Sequence, residues 1–237
     1  MRAIATGALL LGAVSLAGFG CGDDSEGGEG SGTAPGGGDS AGKAGCNKGE
    51  YPGDHGTLRL CGPGAKCGSA TVPLEKIRGY TSYQWNVDLV LGSEPDLSAL
   101  SCMESVGGLI IGNGTEITDL KGLGKLKKAS SVAVVGMAKL TSLAGLDSLT
   151  STAEVTVNFN PALTDISGLP AGLEMRRLWV IGNDNLTSIA GLSDIKVAAM
   201  ASFENNEKLS ECDVAAFGAR FPDAKLTNSE NLMATCP

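Results

Sequence analysis

The chain has 237 residues, 42% of them apolar but only 4% aromatic, with 35 glycines and a formal charge of −8. Phosphate contacts need clustered Lys and Arg, so this balance argues against nucleic acid as a partner and against membrane attachment by a basic patch. Abundant aliphatic residues and glycine, with few aromatics, favour a ladder of aliphatic side chains with glycine-punctuated turns over a compact aromatic core.

Arg2 is followed by an apolar segment from Ala3 to about Leu16 and then small residues leading to Cys21. This reads as a secretory signal, too short for an ordinary membrane span. It resembles a bacterial lipoprotein signal, in which cleavage before a cysteine leaves the thiol for a lipid. Gly20 suits the position before the cut, whereas Gly18 stands where that pattern usually has Leu. The alternative is a conventional signal cut nearby, with Cys21 lost or free. Seven cysteines are an odd number. Lipid on Cys21 leaves an even set, as an oxidising compartment favours. Residues 1–20 are thus expected to be signal. Residues 21–45, rich in Gly, Ser, Asp and Glu, bury too little to offset their ordering entropy. They are expected to be a disordered tether, reaching about 25–30 Å.

Residues 46–85 carry Cys46, Cys61 and Cys67 among Gly and Pro, and are expected to form a disulfide-stapled cap. From there on a period governs the chain. The residue before a Thr or Ser recurs as Ile117, Leu140, Leu163, Leu186 and Leu209, and again as Leu232, each step being 23. A fixed period in this range means a solenoid, each repeat stacked on the next. Leu89, Leu109, Val132, Val155, Leu178, Ala201 and Ala224 align as one inward strand position. Leu91, Ile111, Val134, Val157, Val180, Phe203 and Leu226 align as the next. Residues two apart on a strand share a face, so these pairs predict the buried ladder of a parallel sheet. The step from Leu89 to Leu109 is read as shorter than the later ones, which are all alike.

Three residues beyond, Glu94, Gly114, Met137, Asn160, Asn183, Asn206 and Ser229 share a column. Its three Asn predict an inward amide ladder that satisfies turn backbone rather than a calcium or sugar site. On the return side Gly122, Gly145, Gly168 and Gly191 stack where a Cβ has no room. Asp119 and Asp165 share a column with Ser142 and Ser188, which suggests turn capping. Near the end Val214, Phe217 and Phe221 follow at helical spacing, with Asp213 a candidate start, giving a short capping helix. Cys212 and Cys236 lie 24 residues apart, one position out of step on neighbouring strands about 4.8 Å apart. That suits a disulfide, whose Cα atoms lie about 4.4–6.8 Å apart. Cys102, read as lying in the glycine column, is expected to pair with Cys61 or Cys67; four cysteines allow three connectivities.

The consensus Leu178-x-Val180-x-Gly182-Asn183-x-x-Leu186-Thr187-Ser188-Ile189-x-Gly191-Leu192 and its copies resemble the leucine-rich-repeat superfamily. Within it, they are most similar to the L domains of insulin- and epidermal-growth-factor-type receptors and their bacterial relatives. The segment from Leu97 to Ile111 resembles that family's first coil, including its cysteine, here Cys102. Internalin-like repeats are the near neighbour, but they place the ladder Asn two residues before the next apolar position. Here Asn160, Asn183 and Asn206 stand three before it. The likeness spans residues 86–237. It implies a mainly β, right-handed parallel β-solenoid of about seven 23-residue coils that binds macromolecules by its sheet face and carries no catalytic machinery.

Residue chemistry points the same way. The single histidine, His55, has no partner set for a triad or a metal, and no cofactor is expected. A β-helix polysaccharide lyase, the best enzymatic alternative, needs carboxylates and a basic side chain on the outer strand face. The outward column is read as Val90, Ile110, Ala133, Thr156, Trp179, Ser202 and Lys225, mostly uncharged. Ile110 and Trp179, with Val135, Phe159 and Ile181 just beyond the strands, form a partly apolar outer surface. Such patches mark interaction sites, and Trp is favoured at their centres. Glu154 and Arg177 are expected to pair across adjacent repeats. The function expected is non-enzymatic recognition or adhesion at the cell envelope, with a protein or glycan ligand and a lipid anchor on Cys21. A dedicated glycan-binding module or a structural envelope component would also suit this sequence.

Overall fold

A computed structural model describes residues 45–53, 56–68, 71–233 and 235–236. The signal, Cys21, the tether up to residue 44, and His55 lie outside them. The chain divides into Met1–Gly42 and Lys43–Pro237, and the described residues belong to the second unit.

Nine strands form one sheet in which every neighbouring pair is parallel. They are β1 (Leu58–Cys61), β2 (Val72–Pro73), β3 (Ser82–Gly92), β4 (Ser105–Gly114), β5 (Lys128–Val135), β6 (Glu154–Asn158), β7 (Glu174–Ile181), β8 (Lys196–Glu204) and β9 (Lys225–Ser229). The order is β2-β1-β3 and then strictly sequential to β9. Parallel neighbours need a return segment between them. Here the returns contain 3-10 turns at Ser98–Leu100, Lys121–Leu123 and Ala190–Leu192, and one α-helix among the described residues, α1 (Glu211–Gly218).

From β4 to β8 the register is the one the period predicts. Leu109, Val132, Val155, Leu178 and Ala201 are successive cross-strand partners, as are Ile111, Val134, Val157, Val180 and Phe203. All ten are buried, and Ile117, Leu140, Leu163, Leu186 and Leu209 close the core from the return side. A Cβ on Gly122, Gly145, Gly168 or Gly191 would collide with the backbone of Leu97, Leu120, Leu143 or Ile166. The Asp and Ser column caps turns: Asp119 and Asp165 accept from the N–H of Lys121 and Ser167, at 3.1 and 2.7 Å. Ser142 and Ser188 do the same for Ala144 and Ala190.

Both ends of the sheet differ from expectation. Val87 lies opposite Leu109 and Leu89 opposite Ile111, so the first step begins two positions earlier than the pattern suggests. Leu226 lies opposite Ala201 and Asn228 opposite Phe203, so the last step ends two positions later. In each case the alignment keeps every side chain on its face, because a strand's alternation has a period of two. An alternating pattern cannot tell the two registers apart. At the last step α1 lengthens the return. Leu232 consequently leaves the leucine column, stands 48% exposed and bridges to Ser210.

The segment expected to be a disulfide-stapled cap adds the strands β1 and β2 to the end of the sheet. Leu58 and Leu60 stack on Val87 and Leu89, and β3 starts at Ser82, inside the expected cap. Pro73, which has no N–H to offer, sits on the outermost strand, as edge position allows. The disulfides are Cys46–Cys102, Cys61–Cys67 and Cys212–Cys236. The last is the pair selected by spacing, with Cα atoms 5.4 Å apart. The expectation for Cys102 fails. Leu97 lies under Gly122, so Ala99 holds the glycine column's place and Cys102 falls three residues past it, beside the Cys46 segment. Cys61 instead closes its own short loop with Cys67. Helix α1 starts earlier than Asp213. The Ser210 side chain caps it by accepting from the Cys212 N–H at 3.2 Å, which satisfies one of the free donors of the first turn. Its Val214 and Phe217 are buried, with Phe217 edge-on to Phe203 at 5.3 Å.

The Asn column is a continuous buried ladder. Asn160, Asn183 and Asn206 are fully buried. Each Oδ1 accepts from the backbone N–H one repeat earlier, those of Met137, Asn160 and Asn183, at 3.0–3.1 Å. Each Nδ2 donates to a core-strand carbonyl, those of Val134, Val157 and Val180. The final rung is Asn231, not Ser229: it accepts from the Asn206 N–H at 3.0 Å and donates to the Phe203 carbonyl at 2.7 Å. The longer last step moves it there.

Candidate functional site: the outward sheet face

With the inward columns fixed, alternation assigns the outward ones. Asp88, Ile110, Ala133, Thr156, Trp179, Ser202 and Thr227 are successive partners across β3 to β9. Asp88 and Thr227 replace the expected Val90 and Lys225, by the same two-position slips. The next outward row runs Val90, Gly112, Val135, Asn158, Ile181, Glu204 and Ser229.

Trp179 therefore stands between Thr156 and Ser202, two short side chains that are themselves buried, while Trp179 remains partly exposed. Ile181 follows two residues along the same strand. Val135 and Ile181 flank Asn158, about 10 Å apart by strand spacing. Ile110 lies three strands from Trp179, so the structure groups Trp179, Ile181, Phe159 and Val135 and leaves Ile110 at the margin.

Phe159 is the unusual member. From β4 to β9 the residue after the outward row turns the corner with left-handed backbone: Asn113, Gly136, Phe159, Gly182, Asn205 and Glu230 have φ between 54 and 67°. Gly and Asn tolerate that region, whereas for a bulky residue it is an outlier. Phe159 adopts it at φ 56°, and its side chain is not hidden in return, since the residue is 57% exposed. The ring lies over Gly182, where a Cβ would come within 2.6 Å of it. Beside it the buried Oδ1 of Asn158 has no hydrogen-bond partner among the described residues, a cost of about 1–3 kcal/mol.

Charge on this face is mostly neutralised. Glu154 and Arg177 pair at 2.6 Å, as their 23-residue spacing suggests, and the Ser202 hydroxyl donates to the Glu204 carboxylate. Half-burial holds the Asp88 carboxyl above its usual range, against the opposing pull of Arg59 at 3.9 Å. Among the described residues no group of three or more His, Cys, Asp or Glu comes together in a way that could hold a metal ion, and no helix is long and apolar enough to cross a membrane.

A feature that sequence reading missed lies at the starts of β5 to β7. Lys128, Ser130, Ser151, Glu174 and Arg176 line a groove of about 510 Å³. Its signal was present, since Ser130, Ala153 and Arg176 also recur at 23, but these positions carry no common residue type. Comparison of the chain with protein-family models, with curated proteins and with solved structures finds no match.

Proposed function

We propose that this is a non-enzymatic recognition or adhesion protein of the cell envelope that binds a macromolecular partner through the Trp179 face. In this reading the sheet is a right-handed β-solenoid of about seven coils, of the leucine-rich-repeat, receptor L-domain kind. Right-handedness accords with the near-universal hand of parallel crossovers. A lipid on Cys21 holds the chain at a membrane, and the acidic Gly/Ser-rich segment spaces the sheet from it.

The observation that carries the proposal is Phe159. Left-handed backbone costs a bulky residue about 1–2 kcal/mol, and at this corner glycine or asparagine serves in the neighbouring repeats. A large apolar ring kept more than half in water by such a backbone is strain that folding does not require. Strain of this sort gathers at binding sites. Trp179, Ile181 and Val135 extend it into an apolar patch of the type that marks interfaces.

The test compares wild type with Trp179→Ala and Phe159→Gly in binding to isolated cell-surface material. Binding should fall at least tenfold in each variant while the circular dichroism spectrum is unchanged. Unchanged binding by both folded variants refutes the proposal.

A further inference from the structure

The groove at the strand starts owes its shape to the brevity of β6. That strand begins at Glu154, whereas its neighbours begin one bend earlier, at Lys128 and Glu174. Ser151 keeps a single bridge to Lys128, and small residues at Ala129, Ala153 and Ala198 leave the space open.

The groove brings together two cations that no carboxylate neutralises. Seven Lys and Arg side chains of the described residues are tied to carboxylates: Arg59, Arg78, Lys121, Lys127, Lys139, Arg177 and Lys196. Lys128 and Arg176 are not, and both are exposed on the groove. Among the described residues Glu174 is the one acid on the rim. Its hydrogen bond from Lys196, at 2.7 Å, satisfies it and holds its carboxyl below the usual range. In a chain of net charge −8, the groove thus offers two uncompensated cations, about 12 Å apart by strand geometry, with the hydroxyls of Ser130 and Ser151 between them.

The lining also selects the class of anion. A peptide bound as an added strand needs free backbone groups. Here they are already used: Ala129 N–H donates to Ser151, Ala153 N–H to Ser130 and Arg176 N–H to Ala153, at 2.9–3.1 Å. Among the described residues no aromatic side chain lines the groove, and its apolar lining consists of the short Ala153 and Ala198 and of Val106, Ala129 and Met175, which are already packed in the core. Repeated carboxylates separated by hydroxyl-rich rings match cation, hydroxyl and cation, and guanidinium is suited to a carboxylate by its two parallel donors. Resting on the recognition role proposed above, we infer that this groove binds a carboxylated polysaccharide, with Lys128 and Arg176 holding two of its carboxylates.

The experiment is calorimetric titration of the full chain with de-esterified oligogalacturonate and oligomannuronate, with methyl-esterified oligogalacturonate, and with poly-glutamate. At least one free-acid oligosaccharide should bind, and esterification should weaken binding tenfold or more. Lys128→Gln with Arg176→Gln should weaken it tenfold or more. Lys66→Gln with Lys225→Gln, which removes two other cations without an acidic partner, should leave it unchanged. Equal binding of ester and acid overturns the inference, as do equal losses in the two double variants, tighter binding of poly-glutamate, or no binding of either acid. Trp179→Ala separates the two sites. If it abolishes cell-surface binding while the free acids fail to bind, the Trp179 face stands and the groove falls. If cell-surface binding survives Trp179→Ala but oligosaccharide binding is lost in the groove variant, the groove stands and the Trp179 face falls.

Discussion

Asn183→Ala tests the inner ladder on which the outward face depends. Asn183 is fully buried. Its Oδ1 accepts from the Asn160 N–H at 3.1 Å and the Asn160 amide at 3.2 Å. Its Nδ2 donates to the Val157 carbonyl at 2.8 Å and to the Asn206 Oδ1 at 3.2 Å. Alanine strands the Asn160 N–H where water cannot reach it, at about 1–3 kcal/mol, and forfeits the other bonds at about 1 kcal/mol net each. The total is about 4–6 kcal/mol, a large share of the roughly 5–15 kcal/mol that holds a domain folded. Asn231 makes analogous bonds at the last rung but is 7% exposed, at the end of the ladder. Water can there replace part of what is lost, and Asn231→Ala should cost about 1–2 kcal/mol. Urea unfolding reads both as shifts in midpoint at constant slope. A cost below about 1 kcal/mol for Asn183→Ala, or equal costs at the two positions, would refute the reasoning.

Burial raises the Asp88 carboxyl above its ordinary value of 3.8, so ionisation there works against the fold. The penalty is absent below the unfolded value and grows as pH rises through the folded one. Asp88→Asn should therefore raise the urea midpoint at pH 7 and leave it unchanged at pH 3. The three disulfides close loops with separations of 56, 24 and 6 residues. Chain entropy alone ranks their removal at about 4, 3.5 and 2 kcal/mol respectively. Thermal unfolding of the three Cys-pair-to-Ala variants should follow that order, and the reverse order would show that native-state contacts dominate.

The middle of the sheet is legible in the sequence and its ends are opaque, for one physical reason. Between Leu109 and Ala201 every step has the same length and the inward residues are all aliphatic, so length and pattern agree. At the ends the return length changes, and the pattern is silent about slips of two. It therefore puts Val90 and Lys225 on the outward row where Asp88 and Thr227 stand, and it passes over Asn231. That slip of two, with one residue fewer between Gly92 and Leu97 than between Gly114 and Leu120, misplaces Cys102, since a first step counted from Leu89 puts it in the glycine column's place that Ala99 holds. The strands β1 and β2 are hidden differently: Leu58 and Leu60 are too short a run to show a period, and only their pairing with β3 identifies them.

The outward face is legible in part, and the division has a cause. Core packing and the Asn ladder fix the backbone from inside, so the outward rows are released from any common residue type: Ala133, Thr156, Trp179 and Ser202 occupy equivalent places. Periodicity can locate such a row but cannot say which member matters. Trp179 can be singled out by its residue type alone. Phe159 cannot be recognised as strained until its φ is known, nor Lys128 and Arg176 as uncompensated until the cations around them are matched to their acids. A backbone held by its interior can carry one bulky residue in left-handed geometry for about 1–2 kcal/mol without losing register, because the hydrogen bond from the Phe159 N–H to the Ile181 carbonyl, at 2.9 Å, is retained. The rigid inner ladder is thus what permits variation outside, and a binding surface built on it can change without disturbing the fold.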